Sequence, residues 1–326
     1  MINQTFYTYF LIILLACLKT GMLFSQNKTP FFKHLSVKDG LSQNGVVDIF
    51  KDSKGYMWFG TRDGLNCFDG YNFKIYRHND ENPHSISSNI ISVITEDSQG
   101  KLWIGTKNGL NSFDRNNQKF TSYKNNPSNN TSISNNEIIS ILITKNDDLW
   151  VGTANGLNLK LKDSTVFEKF HHIINDPNSI SGNHIYALYE DKDANIWAGT
   201  KSGGLNRLIK NTKSFEKYLH DPSNPKSISS NFISCITQSK DNKLWIGTHD
   251  NGISILDSTG VFSHMKYEKS TTNSLSNNRV RELVFDDQDN LWIATYFGLN
   301  YYNTKTLKFK TYINNSFNPR SISHNS

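Results

Sequence analysis

All six tryptophans of this chain stand in one repeated slot. They open the runs Trp58-Phe59-Gly60-Thr61, Trp103-Ile104-Gly105-Thr106, Trp150-Val151-Gly152-Thr153, Trp197-Ala198-Gly199-Thr200, Trp245-Ile246-Gly247-Thr248 and Trp292-Ile293-Ala294-Thr295. Gly-Leu or Gly-Ile follows each run, at Gly64, Gly109, Gly156, Gly204, Gly252 and Gly298. Successive copies lie 45 to 48 residues apart. A fixed period of that length belongs to repeat architectures, in which one small unit is copied and stacked.

One unit, from Asn89 to Asn136, shows what is copied. Ile90–Thr95 is a β-branched run, and Asp97-Ser98-Gln99-Gly100 is a turn. Leu102–Thr106, Leu110–Phe113 and Phe120–Tyr123 are further short apolar runs, separated by Asn-Gly and Asn-Asn turns. A polar loop, Asn126-Pro127 through Ser132-Ile133-Ser134-Asn135-Asn136, closes the unit. Short runs bounded by Gly, Asn, Asp and Pro read as strands joined by tight turns. Four strands in such a period predict the blade of a β-propeller. The fold class expected is therefore all-β: four-stranded blades, six of them complete. Trp supplies apolar bulk between neighbouring sheets. The first Gly permits close approach, and the second supplies a turn dihedral that a β-carbon resists. These residues are blade architecture, not chemistry.

The chain divides unevenly. Residues 1–25 read as a secretory signal peptide: the apolar run FYTYFLIILLACL (6–18) is short for a membrane span, with cleavage expected near Ser25 or Gln26. Leu14-Leu15-Ala16-Cys17 leaves lipidation at Cys17 as an alternative. Residues 26–43 carry Phe31-Phe32-Lys33-His34-Leu35, which repeats the fourth-strand pattern of Phe73–Tyr76, Phe120–Tyr123 and Phe309–Tyr312, and then a lead loop. Residues 44–320 hold the six blades, and 321–326 repeat the loop that precedes a new first strand. The expectation is six blades of a seven-blade ring, with the N-terminal strand completing the last blade. The alternative is a closed six-blade ring with residues 31–35 laid outside the last sheet.

Charge and chemistry narrow the function. A net charge of +6 over 326 residues is modest, and no Lys/Arg cluster concentrates it, which argues against a nucleic-acid surface. An acidic ligand such as a uronic or sulfated sugar stays compatible. Cys67 and Cys235 fall in distant repeats and are expected as free thiols. Asp286-Asp287-Gln288-Asp289-Asn290 lacks the Gly and bidentate Glu of a calcium loop and reads as a hairpin turn. The histidines show no metal-ligand spacing, and no nucleophile elbow or phosphate loop is present. No cofactor or metal is expected.

On a propeller the loops joining strand four to strand one, and strand two to strand three, share a face. Two positions on that face vary while their neighbours hold. One is the residue after Thr: Arg62, Lys107, Ala154, Lys201, His249 and Tyr296. The other follows the Asn before strand one: Gly45, Ile90, Glu137, His184, Phe232 and Arg279. A constant frame with a variable rim can build an asymmetric pocket. The candidate ligand-binding residues are Arg62, Lys107, Glu137, His184, Lys201, Phe232, His249, Arg279 and Tyr296. Ordinary solvated surface is the competing explanation.

The unit Asn278–Tyr312, with Leu291-Trp292-Ile293-Ala294-Thr295 and Gly298-Leu299-Asn300, resembles the two-component regulator propeller repeat. So do Asp39-Gly40-Leu41-Ser42 and the Asn/Asp-Pro-x-Ser-Ile-Ser loops, and the resemblance covers Phe31 to the end. It implies the periplasmic sensor region of a hybrid two-component system. In that family two seven-blade propellers and a β-sandwich precede a membrane helix, a histidine kinase, a receiver and an output domain. The implied ligand is an oligosaccharide. The implied partners are the downstream propeller, β-sandwich, membrane helix and kinase domains, with a homodimer in the full-length protein. The implied location is the periplasmic face of the inner membrane. The residues expected of the kinase and receiver are absent from this sequence, so no enzymatic activity is carried over. Two other readings stay open: a secreted polysaccharide lyase or glycosidase, for which Glu137 with His184 is the one rim pair to nominate, and a protein-interaction scaffold.

Overall fold

The structure is a computed structural model and describes residues 31–325. From His34 onward the described residues form one compact unit. The signal peptide and Cys17 expected from the sequence lie outside the described residues. Among the described residues no helix is long and apolar enough to cross a membrane.

This unit is all-β. Six four-stranded antiparallel sheets follow one another, each built from strands consecutive in sequence. Blade 2 is representative: its strands are Ile91–Glu96, Leu102–Thr106, Gly109–Asp114 and Lys119–Tyr123, within a residue of the runs read from the sequence. The first strand of each blade packs on the first strand of the next, from blade 1 through blade 6. This is a β-propeller.

The tight turns explain the glycines. Gly109, between strands two and three, has φ +124°, and a β-carbon there would also stand 3.0 Å from the Tyr123 carbonyl oxygen. The glycine after Trp works differently. A β-carbon on Gly105 would lie 2.7 Å from both Ile138 of blade 3 and Val93 of its own blade. Blade 6 carries Ala294 at this position, where among the described residues no following first strand presses against it.

Between blades lies the core, divided into five wedges. The first contains Trp58 of blade 1 with Ile91, Ile94, Leu102, Ile104, Phe113 and Phe120 of blade 2. Burying roughly 200 Å² of indole at ~25 cal/mol/Å² contributes on the order of 5 kcal/mol for each wedge tryptophan, Trp58, Trp103, Trp150, Trp197 and Trp245. The indole nitrogen is satisfied by the preceding hairpin: Trp58 donates to Asp52 at 2.7 Å and Trp197 to Asp191 at 2.8 Å. The same carboxylates cap turn amides, as Asp52 does for Lys54 and Tyr56. Asp286 likewise accepts from Gln288 and Asn290, so the calcium-like stretch is a hairpin turn.

A second set of contacts latches each first hairpin to the next blade. Ser53 N–H donates to Glu96, Ser98 to Asp147, Lys145 to Glu190, Lys192 to Gln238 and Lys240 to Asp289, over 2.7 to 3.0 Å. In the first wedge Arg115 adds ion pairs to Asp52 at 2.6 Å and Glu96 at 2.7 Å.

Among the described residues no sheet covers the two end flanks. Ile49 on blade 1 is 56% exposed, whereas its equivalent Ile94 on blade 2 is 4% exposed. Val284 on blade 6 is 55% exposed, and Trp292 is only partly buried. His34 reaches across this junction to the carbonyl of Ser321 at 2.8 Å, much as His264 reaches Pro225 at 3.2 Å within the ring. The sixth sheet ends at its own fourth strand, Lys308–Tyr312. Cys67 and Cys235 are free, and burial pushes the Cys67 thiol up to about 11.

Overpacking a close blade contact costs about 1–3 kcal/mol. Gly105→Ala should therefore lower the unfolding free energy of the full-length chain by that amount, seen as a lower denaturant midpoint at unchanged slope. Gly45→Ala, whose β-carbon meets nothing nearer than 3.8 Å, should leave it unchanged. Equal midpoints for the two variants would refute the close-approach account.

Candidate functional site: the loop face of blades 4 to 6

Hydrogen bonds place the two variable rows side by side. The glycine after each second-to-third-strand turn donates to the Asn carbonyl before strand one of the next blade, as Gly109 does to Asn136 at 2.7 Å and Gly252 to Asn278 at 2.9 Å. Within a blade, the residue after Thr donates to the residue after the Asn that precedes that blade's own strand one. The pairs are Lys107 with Ile90, Ala154 with Glu137, Lys201 with His184, His249 with Phe232, and Tyr296 with Arg279, at 3.0 to 3.1 Å. Every blade from 2 to 6 thus presents two adjacent variable side chains. Blade 1 departs, with Arg62 N–H donating to the Gln43 side chain at 3.1 Å.

The side chains divide into sectors. Lys107 of blade 2 and Glu137 of blade 3 form an ion pair at 2.5 Å. The Glu137 carboxylate is therefore engaged by Lys107, not by His184, the partner nominated from sequence. From blade 4 to blade 6 runs an aromatic arc. His184 stacks on Tyr186 with centroids 5.3 Å apart, and Tyr186 meets Phe232 edge-on at 4.9 Å. Phe232 stacks on His249 at 4.4 Å, and His249 meets Tyr296 edge-on at 5.8 Å. The guanidinium groups of Arg279 and Arg281 lie 5.2 and 5.0 Å from the centre of the Tyr296 ring. Arg62 belongs to none of the ring contacts or ion pairs found among the described residues.

Tyr186 and Arg281 were not nominated from sequence. Each is the extra residue of a β-bulge in its first strand, where the ladder slips between Ile185 and Ala187 and between Val280 and Glu282. Bulges re-aim side chains and cluster near functional sites. The bulge position reads Val47, Ser92, Ile139, Tyr186, Ser234 and Arg281 across the blades, a third variable row.

The electrostatics follow from this arrangement. Burial lowers the His249 pKa, and Arg279, Arg281 and Lys201 lower it further against Asp250. His184 is lowered by burial and by Lys201 and Lys107, against Glu137. Both imidazoles are therefore neutral at pH 7 and offer N–H donors, not charge. Among the described residues no group of three His, Cys, Asp or Glu side chains is placed to hold a metal. Inside the ring, Glu282 is reached by solvent yet enclosed by protein. That enclosure, with Asp48 nearby, pushes its carboxyl up to about 7. Asp48, also raised by burial, accepts from Ile94 N–H at 2.6 Å.

The model of the "Two component regulator propeller" matches residues 40–63, 85–108, 132–155, 179–202, 227–250 and 274–297. Each match runs from the loop before strand one to the turn after the Trp motif. The chain is built from two-component regulator propeller repeats. A solved relative of this propeller is the extracellular domain of a protein from B. thetaiotaomicron assigned to the hybrid two-component systems. It is 28% identical with a TM-score of 0.50, and the match covers 83% of this chain and 42% of that one. A curated relative from Formosa agariphila, "Histidine kinase P4", is 56% identical over 63 residues, which are 19% of this chain and 5% of that protein. The regulator propeller thus spans less than half the length of either. Virginiamycin B lyase from Staphylococcus aureus, 14% identical with a TM-score of 0.62 over 82% of this chain and 84% of its own, shares the fold alone.

Removing either guanidinium near His249 should raise its titration midpoint toward the ordinary 6.5 of histidine. Arg279→Gln and Arg281→Gln, followed by NMR of the His249 ring protons against pH, should each shift it upward. An unmoved midpoint would mean that the charges do not converge there.

Proposed function

We propose that this propeller is the exported ligand-receiving part of a hybrid two-component sensor, lying on the periplasmic face of the inner membrane. Its ligand is an oligosaccharide, and its partners are a downstream propeller, a β-sandwich, a membrane helix and kinase domains in a homodimeric receptor. The single observation that carries the ligand reading is the arc of Tyr186, Phe232, His249 and Tyr296, four rings from three blades meeting on the variable loop face. Aromatic faces carry apolar sugar faces, while neutral imidazoles and guanidinium groups supply donors to hydroxyls. The relatives with this repeat, one an extracellular domain of a protein assigned to the hybrid two-component systems and one a histidine kinase, support the sensor setting. In such a receptor, a ligand that binds one arrangement of the sensor region better than another biases the kinase by that difference. The flanks at Ile49 and Val284 are where we place a seventh blade, with residues 31–35, which are in no strand here, as the segment that would supply its fourth strand.

The enzyme reading is favoured by one observation. A carboxyl held up at about 7, as in Glu282, is poised for general acid work. It predicts new reducing ends from a polysaccharide panel, lost in Glu282→Gln; the sensor reading predicts none.

Calorimetry on the full-length chain tests the arc. Phe232→Ala combined with Tyr296→Ala should weaken oligosaccharide binding at least tenfold, about 1.4 kcal/mol. Tyr71→Ala, at an exposed turn outside the arc, should not. Undiminished affinity in the double variant would remove the rim as the binding site.

A further inference from the structure

We infer that the rim is built for an anionic oligosaccharide, with a carboxylate or sulfate seated among Arg279, Arg281 and Lys201 and the adjoining sugar ring on the aromatic arc. This rests on the oligosaccharide reading above and adds the ligand's charge to it.

Two guanidinium groups converge with no ion-paired counter-charge among the described residues, and Lys201 stands on the rim turn of blade 4. Arg279 and Arg281 share one tyrosine ring, and both act with Lys201 on His249. None of the three takes part in an ion pair among the described residues. The same rim pairs its cation elsewhere, since Lys107 is neutralised by Glu137. Two nearby acids do not do this for the arc. Asp250 acts on His249 and forms no ion pair, and Glu282 turns into the ring, accepting from Leu283 N–H at 3.1 Å.

Holding two guanidinium groups over one ring orients them but does not discharge them. Their mutual repulsion is relieved when an anion binds, and the planar guanidinium fork matches a carboxylate or a sulfate through paired N–H donors. Neutral His249 adds a donor without adding to the repulsion. Phe232 and Tyr296 flank the same imidazole, so a sugar ring beside the anion meets an aromatic surface. A neutral glycan gains the stacking and leaves the repulsion in place. Preference for the charged ligand should therefore be large and should fall with salt.

The full-length chain would be titrated calorimetrically with tetragalacturonate, a sulfated galactotetraose and neutral galactotetraose, at low and high salt. At least one charged ligand should bind ten times or more tightly than the neutral one, and that advantage should shrink at high salt. The uronate and sulfate arms identify which anion is preferred. Arg279→Gln with Arg281→Gln should erase the advantage, lowering the affinity for the charged ligand at least tenfold more than that for the neutral one. Lys201→Gln, a change on an exposed turn, should reduce it severalfold even if the double variant folds poorly. On binding the charged ligand, the His249 midpoint should move upward. Equal affinity for charged and neutral ligands would overturn the charge inference and leave the oligosaccharide reading standing. Binding of none of the three would overturn both.

Discussion

The structure depends on a buried three-way polar joint that recurs under the loop face. In blade 3 the Ser134 hydroxyl meets the Thr153 hydroxyl at 2.9 Å and accepts from the Asn158 amide at 2.9 Å, while Asn158 accepts from the Ser134 N–H at 2.8 Å. Thr153 donates onward to the Gly156 carbonyl at 2.9 Å. The joint binds the loop before strand one to strand two and strand three of its blade. Its Thr and Asn members are fully buried, so each unmade bond would carry a full desolvation cost of about 1–3 kcal/mol. Blades 1, 2 and 6 repeat it with Ser42, Thr61 and Asn66, with Ser87, Thr106 and Asn111, and with Ser276, Thr295 and Asn300. Three motif fragments separated in sequence, Ser-Ile-Ser, Trp-x-Gly-Thr and Gly-Leu-Asn, are thus one object in space.

That joint is why the rim can vary. The residues beside it are held by backbone bonds, turn amide to loop carbonyl, which any side chain permits. Side-chain identity is then left to whatever meets the rim. The frame around the ring is stiffened differently, by indole wedges and by the hairpin latches that reach one blade forward. These contacts point in one direction around the ring, so among the described residues no further blade covers the forward face of blade 6. Ala294 in place of glycine, a partly exposed Trp292 and an exposed Val284 all lie on that face or beside it.

Much of this was legible in the sequence because repetition averages out local ambiguity. Six copies of Trp-x-Gly/Ala-Thr gave the blade, its four strands and the roles of Gly105 and Gly109. The two variable rows were legible for the same reason, as departures from a constant pattern. Their pairing was not, since it is made by main-chain hydrogen bonds that carry no residue signature. Tyr186 and Arg281 stayed hidden because a bulge is a matter of register, and a one-residue slip in a β-branched run leaves no distinctive composition. Partner choice was also illegible: Glu137 is drawn to Lys107 of the neighbouring blade, a contact between repeats.

The asymmetry of the rim has a backbone origin as well as a side-chain one. In blades 4 and 5 the turn between strands two and three is one residue longer, Lys201-Ser202-Gly203 and His249-Asp250-Asn251, against Lys107-Asn108 in blade 2. The buried joint is rebuilt to match. Ser181 donates to the Gly203 carbonyl instead of meeting Thr200, and in blade 5 Ser254 replaces asparagine and bonds Ser229 at 2.8 Å. These are the two blades that supply His184, Tyr186, Phe232 and His249. The repeat has therefore been altered at three levels in the same place: turn length, joint chemistry and rim side chains. Drift at solvated surface positions would change the third level alone, without touching fully buried polar groups whose mispairing is costly. Their coincidence in neighbouring blades marks the arc as a constructed feature of the propeller.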